Sequence, residues 1–213
     1  EIAQSKGATG KIPANYWMHT EFLLVDGGKM SKSLGNVYTL DELQERNIEP
    51  LAFKLFCYTS HYRNKLNFTF EGVNASEKAL GRLREGYISH INGKEIADKD
   101  KLESYKKRFT LAINDDLNMP LAMGIVWELI REEKKSPEYA KLLEEFDEVL
   151  GLNLKNYKKK SIEIPKDVQN LIEERIEARK NKDWKKSDTL RDMIKIKGFI
   201  VKDTPNGVEV EKA

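Results

Sequence analysis

A chain of 213 residues, 39% hydrophobic and 34% charged, is long enough for one large or two small domains. It has no apolar run near the length of a membrane span and no signal peptide. The 37 Lys and Arg nearly balance the 35 Asp and Glu, for a net charge of +2, so any surface for nucleic acid must be local. The one cysteine, Cys57, excludes an intrachain disulfide and fits a reducing, cytoplasmic location. Glu1 stands where an initiator Met is expected and the sequence opens inside a pattern, which predicts a fragment of a longer protein.

Residues 1–47 mix short helix, strand and loop. Phe22-Leu23-Leu24-Val25 reads as a buried strand. Asp26-Gly27-Gly28 reads as a flexible turn, because glycine frees the backbone. Next comes Lys29-Met30-Ser31-Lys32-Ser33, a mobile basic loop with two lysines for charge and two small serines that let phosphates approach. Such a loop suits closure over a triphosphate, where a cation meets the charge that builds on departing pyrophosphate. Taken alone, the same residues also suit a solvated turn. Thr39 with Glu42 three residues on forms a capping box that starts a helix.

Residues 48–152 read as a helical bundle. Pro50 suits a first helical position before Leu51, Phe53, Leu55 and Phe56. A second helix carries Ala79, Leu80, Leu83, Tyr87 and Ile91; a third carries Leu102, Tyr105, Phe109 and Ile113. Asn118 caps a fourth, with Pro120 near its first turn and Leu121, Ile125, Leu129 and Ile130 on its apolar positions. A fifth runs from about Pro137 to near Gly151. Residues 153–163 are lysine-rich without periodicity and predict a linker. In residues 164–213, Val168, Leu171, Ile172 and Ile176 mark one helix, and Trp184, Leu190, Met193 and Ile194 a second. Phe199-Ile200-Val201 and Val208-Glu209-Val210 read as strands joined into a hairpin by Thr204-Pro205-Asn206-Gly207.

The three histidines, His19, His61 and His90, have no metal-ligand spacing. His19 lies beside Tyr16 and Trp17 on an expected helix, where packing is favoured over substrate contact. His61 with Arg63 suits either a contact to a substrate or to nucleic acid, or a helix end. Cys57, in Leu55-Phe56-Cys57-Tyr58, reads as a small core residue more than a nucleophile. Near the C-terminus, Arg179, Lys180, Lys182, Lys185 and Lys186 surround Trp184. That combination suits single-stranded RNA, with the ring stacking a base and the cations meeting phosphates. The same residues also suit a core tryptophan on a solvated lysine face.

All five residues Lys29 to Ser33 match the KMSKS signature of class I aminoacyl-tRNA synthetases. The wider sequence resembles the cysteinyl-tRNA synthetases at Glu1 to Ser5, Asn15 to His19, Lys29 to Asn36, Ser60 to Arg63 with Leu66 to Phe68, Asp115 to Pro120, Ala178 to Trp184 and Asp203 to Gly207. The resemblance implies a mainly α chain. The end of a class I, Rossmann-type catalytic domain with the KMSKS loop (1–47) comes first. A helical bundle that docks tRNA (48–152), a linker (153–163) and a small α+β anticodon-binding domain (164–213) follow.

The implied reaction is ATP-dependent activation of cysteine, then transfer to tRNA(Cys), with Mg²⁺ accompanying ATP and Zn²⁺ in the intact enzyme. The implied state is a monomer away from membranes. Lys32 would contact ATP, helped by Lys29, Ser31 and Ser33. Glu1 aligns with a family zinc ligand whose His and Cys partners are absent here, so a metal at Glu1 is not expected in these residues. The family's His-x-Gly-His element is absent as well, and activity from these residues alone is not expected. Arg179, Trp184, Asp188 and Asp203 match positions that read anticodon bases. Two alternatives are a non-catalytic tRNA-binding fragment and a related cysteine ligase with an amino-sugar acceptor; Arg179 through Gly207 argue against the second.

Overall fold

The structure is a computed structural model that describes residues 1–158, 164–204 and 207–212. It divides into two compact units at residues 157 and 158.

The first unit opens with α1 (Ile2–Thr9), which buries none of its residues and ends at Gly10 in the left-handed conformation. Residues 10–22 then run without helix or strand. Tyr16, Trp17, Met18 and His19 therefore lie on an exposed coil and not on the expected helix, with Tyr16 92% exposed. Consecutive apolar side chains point all around a helix and give it no single face to bury.

The sheet has the order β2-β1-β3. Strand β1 (Leu23–Val25) pairs antiparallel with β2 (Gly28–Lys29) and parallel with β3 (Leu66–Phe68). The two residues between β1 and β2, Asp26 and Gly27, have φ of 48° and 77°. Positive φ at both positions is what a tight I′ hairpin demands, and Asp-Gly supplies it. The Gly27 N–H donates to Asn67 Oδ1 at 2.7 Å. The expected flexible turn is thus a hydrogen-bonded hairpin. Val25 is buried, whereas Phe22 lies before the strand and is exposed.

The capping box forms as expected at α2 (Leu40–Glu45): Thr39 accepts from the Glu42 N–H, and the Glu42 carboxylate accepts from the Thr39 N–H. Helix α3 (Pro50–Cys57) has Pro50 in its first turn. The bundle continues through α4 (Phe70–Ile91), α5 (Lys99–Asn114), α6 (Met119–Ile130) and α7 (Pro137–Leu150). One apolar core runs from Val25 of the sheet to Leu154. Within it the Phe109 and Phe146 rings stack with centroids 3.9 Å apart. Gly93 lets the end of α4 approach closely, since a Cβ there would lie 2.0 Å from the Lys135 carbonyl oxygen.

Ile91 and Leu121, expected on apolar faces, are exposed, and His90 is buried in place of Ile91. The segment expected to be a linker from residue 153 also begins as core. The Asp147 carboxylate accepts the N–H groups of Leu152 and Leu154, both at 2.7 Å, and folds these leucines inward until both are fully buried. Residues 159–163 of that segment lie outside the described residues.

His90 stacks edge-on against Tyr139. Its Nε2 lies 3.1 Å from the Leu129 carbonyl oxygen, and its Nδ1 accepts the Ser136 N–H. Burial, reinforced by nearby Lys135, lowers its pKa from the ordinary value and keeps it neutral. Below an unfolded pKa of about 6.5 the unfolded chain then binds more protons than the folded one, so stability should fall as pH drops through that value and beyond. Urea titrations at pH 7.5 and 5.5 are expected to show a lower midpoint at pH 5.5. His90→Gln, which cannot protonate, should flatten part of that difference.

The second unit packs α8 (Lys166–Lys180) and α9 (Trp184–Ile196) against a hairpin of β4 (Phe199–Thr204) and β5 (Gly207–Lys212), with Val201 opposite Val210. Val168, Ile172, Ile194, Phe199 and Val201 form its core. Ile176 and Met193, expected to be apolar markers of the helices, are largely exposed. Pro205 and Asn206 of the expected turn lie outside the described residues.

Candidate functional site

The basic loop is built on the sheet's edge. Lys29 ends β2, and Met30 turns inward against the core. Ser31 is extended and leads into a single 3₁₀ turn, Lys32–Leu34, closed by Gly35 at φ 64°. Asn36 stitches the segment together: its Oδ1 accepts the Ser31 N–H at 2.8 Å, and its Nδ2 donates to the Lys29 carbonyl at 3.1 Å. The Ser31 and Ser33 hydroxyls lie 3.1 Å apart. Lys29 and Lys32 are both exposed. The loop expected to be mobile is held at both ends by one amide side chain, while its two cations face solvent.

Two of the motifs quoted above meet in space. Asp116 and Leu117 both have left-handed backbones, with φ of 51° and 54°, a conformation that non-glycine residues seldom adopt. The Tyr62 hydroxyl donates to the Asp116 carboxylate at 2.6 Å, and Arg63 donates to it through Nε at 2.6 Å and Nη2 at 3.2 Å. Arg63, then Tyr62, hold the Asp116 carboxyl at about 2. His61 Nε2 lies 2.9 Å from the Asp116 carbonyl oxygen. That oxygen can only accept, so Nε2 carries the proton, and His61 pins the α5–α6 turn. Beside this cluster lies a groove of about 450 Å³ whose lining includes Leu23, Cys57, Tyr58, His61 and Leu117. Cys57 is half-buried there, not fully core, and burial pushes its thiol up, away from nucleophile character.

In the second unit, Asp183 caps α9 by accepting the Lys186 N–H. Trp184 follows at the first helical position and is 56% exposed, which removes it from the core. The Arg179 guanidinium lies 5.6 Å from its ring centroid, within cation–π range. Asp203 accepts two bonds from Arg175, at 2.9 and 2.8 Å, and pairs with Arg179 at 3.3 Å. These contacts hold the Asp203 carboxyl below the ordinary carboxylate value, Arg175 contributing most. Asp188 is exposed and pairs with Arg191 at 3.3 Å. Lys180, Lys182, Lys185 and Lys186, near Trp184 in sequence, are exposed.

Arg179, Trp184 and Asp203 are therefore assembled into one cluster. Arg175 and Arg191 were not singled out from the sequence. The signal was present in helical spacing, since Arg175 precedes Arg179 by four residues and Arg191 follows Asp188 by three.

The residues present do not fit a zinc centre. Among the described residues no group of three His, Cys, Asp or Glu side chains could hold a metal, and Glu1 is exposed. No helix among the described residues is long and apolar enough to cross a membrane.

Comparison with known proteins yields two family matches in order along the chain. Residues 1–78 match the catalytic domain of class I (C) tRNA synthetases, and residues 162–210 match the anticodon-binding domain of cysteinyl-tRNA ligases. The chain is 41% identical to cysteine–tRNA ligase 1 of Burkholderia lata over 97% of its own length and 43% of the relative's. It is 38% identical to the cysteine–tRNA ligase of Caldicellulosiruptor saccharolyticus and 35% identical to that of Protochlamydia amoebophila, in both cases over its full length and 49% and 47% of theirs. The chain thus spans about half the length of the curated relatives it matches. A match to a class I catalytic domain near one end, a match to an anticodon-binding domain at the other and similarity along essentially the whole chain make it similar to the cysteinyl-tRNA synthetases.

Proposed function

We propose that the protein carrying this chain activates cysteine with ATP and transfers it to tRNA(Cys), with residues 1–47 contributing the ATP-contacting loop, 48–152 docking tRNA and 164–213 reading the anticodon. The observation that carries this reading is the similarity to proteins named cysteine–tRNA ligase along essentially the whole chain. In the activation step the cysteine carboxylate attacks the α-phosphorus of ATP and pyrophosphate leaves. Negative charge moves onto the leaving group, so a cation aimed there stabilises the transition state more than the ground state. Exposed Lys32, with Lys29 at the other end of the Asn36-stitched loop, suits that role. Ser31 and Ser33 add hydroxyls that suit phosphate oxygens. ATP enters as a Mg²⁺ complex, and among the described residues no cluster fits zinc.

The anticodon role draws support from an exposed aromatic ring flanked by cations, which is how a base is stacked and its phosphates met. Asp188, exposed on α9, is assigned to base reading with Arg179 and Trp184. The test is binding of the 213-residue chain to a tRNA(Cys) transcript and to the same transcript with its anticodon bases replaced. Preference for the cognate anticodon by roughly tenfold or more supports the reading, while equal affinity overturns it. ATP–pyrophosphate exchange by the chain alone is expected to stay at background. Exchange above background would mean that Lys32 and its loop do not depend on elements outside these residues.

A further inference from the structure

The Arg175 guanidinium is 3% exposed, so it cannot touch RNA directly. Both of its terminal nitrogens are spent on Asp203, one on each carboxylate oxygen. Its Nε, also buried, has no hydrogen-bond partner among the described residues. A buried cation with an unsatisfied donor is costly, so this arginine is poorly explained as a contributor to stability alone. Its partner carboxylate also holds Arg179 at 3.3 Å, and Arg179 in turn lies against the exposed Trp184 ring. The four side chains form one line from the interior of the unit to its surface. Along it burial falls: Arg175 is buried, the Asp203 and Arg179 side chains are 39% and 40% exposed, and Trp184 is 56% exposed.

We propose that Arg175 is a positioning residue for anticodon recognition, acting through Asp203 to fix the Arg179 guanidinium against Trp184. The inference rests on the anticodon reading above and adds one residue to it. Asp203, whose two oxygens each accept from Arg175 and keep further acceptor sites, also serves as the relay that orients Arg179, and base discrimination rests on Arg179, Trp184, Asp188 and Asp203. The bidentate geometry is the reason arginine is needed. A planar fork fixes the rotation of the carboxylate, which a lysine ammonium, a single rotating point charge, cannot do. A carboxylate fixed in rotation presents Oδ2 to Arg179 in one direction. Arg179 then no longer has to be ordered when RNA binds, and that ordering would otherwise weaken discrimination.

The experiment compares wild type with Arg175→Lys and Asp203→Asn in the full 213-residue chain, using two readouts. The first needs no RNA: the indole N–H resonance of Trp184 in a ¹⁵N spectrum, assigned by its loss in Trp184→Phe. Both variants are expected to shift it, while the resonances of the Val168, Ile194 and Phe199 core stay in place. The second is the ratio of dissociation constants for the anticodon-replaced and the cognate tRNA(Cys) transcript. Arg175→Lys should reduce that ratio by about tenfold. Affinity for the replaced transcript and the slope of affinity against salt should not change, because a buried side chain contacts no phosphate.

A residue needed only for folding would instead disturb the core resonances and weaken both transcripts together. If the indole resonance and the ratio are the same in wild type and both variants, the positioning role is overturned. Shifted indole resonances in variants of a chain that never distinguishes anticodons would leave the relay standing and overturn the anticodon reading. If Arg175→Lys unfolds the unit, Asp203→Asn, which is isosteric, carries both readouts, and an unchanged result there overturns the proposal.

Discussion

If the protein carrying this chain is the ligase proposed above, replacing Lys32 by alanine in it is expected to lower kcat for ATP–pyrophosphate exchange by on the order of a hundredfold or more, with a much smaller change in the KM for cysteine. The split between the two constants follows from where the charge is. Lys32 is exposed at the start of a 3₁₀ turn and makes no contact with the apolar core, so its removal should not disturb the fold. In the proposed role its ammonium meets a leaving group that gains charge only as the bond to the α-phosphorus breaks. An interaction of that kind lowers the barrier without tightening ground-state binding. Lys29→Ala, at the end of a strand and on the far side of the Asn36 bridge, should cost less. The measurement is exchange kinetics on proteins whose thermal unfolding matches wild type. Unchanged kcat in a folded Lys32→Ala protein would sink the assignment of this loop to ATP.

Replacing Trp184 by alanine is expected to weaken binding of tRNA(Cys) to the chain by roughly tenfold or more. Stacking of a base on an aromatic ring is worth about 1–3 kcal/mol by alanine substitution. The ring is more than half exposed and lies outside the core of the second unit, so the variant should fold normally. Lysine substitutions are expected to act differently. Lys185→Ala or Lys186→Ala should weaken cognate and altered tRNA alike and reduce the salt slope by about one counterion each, because an exposed cation meets phosphate without reading sequence. Asp188→Ala should relax discrimination and leave the salt slope nearly intact. Filter binding or anisotropy across several salt concentrations separates these behaviours. If Trp184→Ala and Asp188→Ala discriminate among anticodons as wild type does, the surface around α9 is not the reading surface.

Helix boundaries and caps were legible in the sequence because they are local. The Thr39/Glu42 capping box, Pro50 in a first turn and the run from Pro137 to a left-handed Gly151 each involve residues within one helical turn or at a single backbone position. The KMSKS residues and the basic ring around Trp184 were legible for the same reason, as contiguous chemistry. The sequence did not say whether Trp184 packs or projects. At the first position of α9, helical periodicity allows either outcome, and the packing of α8, α9 and the hairpin around Ile194 leaves it outside.

The rest was decided by tertiary structure because it depends on residues far apart in the chain. The Arg63–Asp116 pair spans 53 residues and the Arg175–Asp203 pair spans 28. No local pattern marks which aspartate of an acidic stretch will meet which arginine. Leu154 reads as linker by composition, yet its hydrogen bond to Asp147, beside that of Leu152, folds it into the core. Ile91 reads as an apolar position of its helix, yet His90 is buried in its place, where Leu129 and Ser136 offer its two ring nitrogens partners. The sequence by itself carried the resemblance to the cysteinyl-tRNA synthetases, the order of its motifs and the chemical character of each segment, all of which lie in contiguous residues. Only the tertiary structure decided which charges are held and which are free to meet a ligand, because pairing and burial are set by the distance between side chains in space, not along the chain.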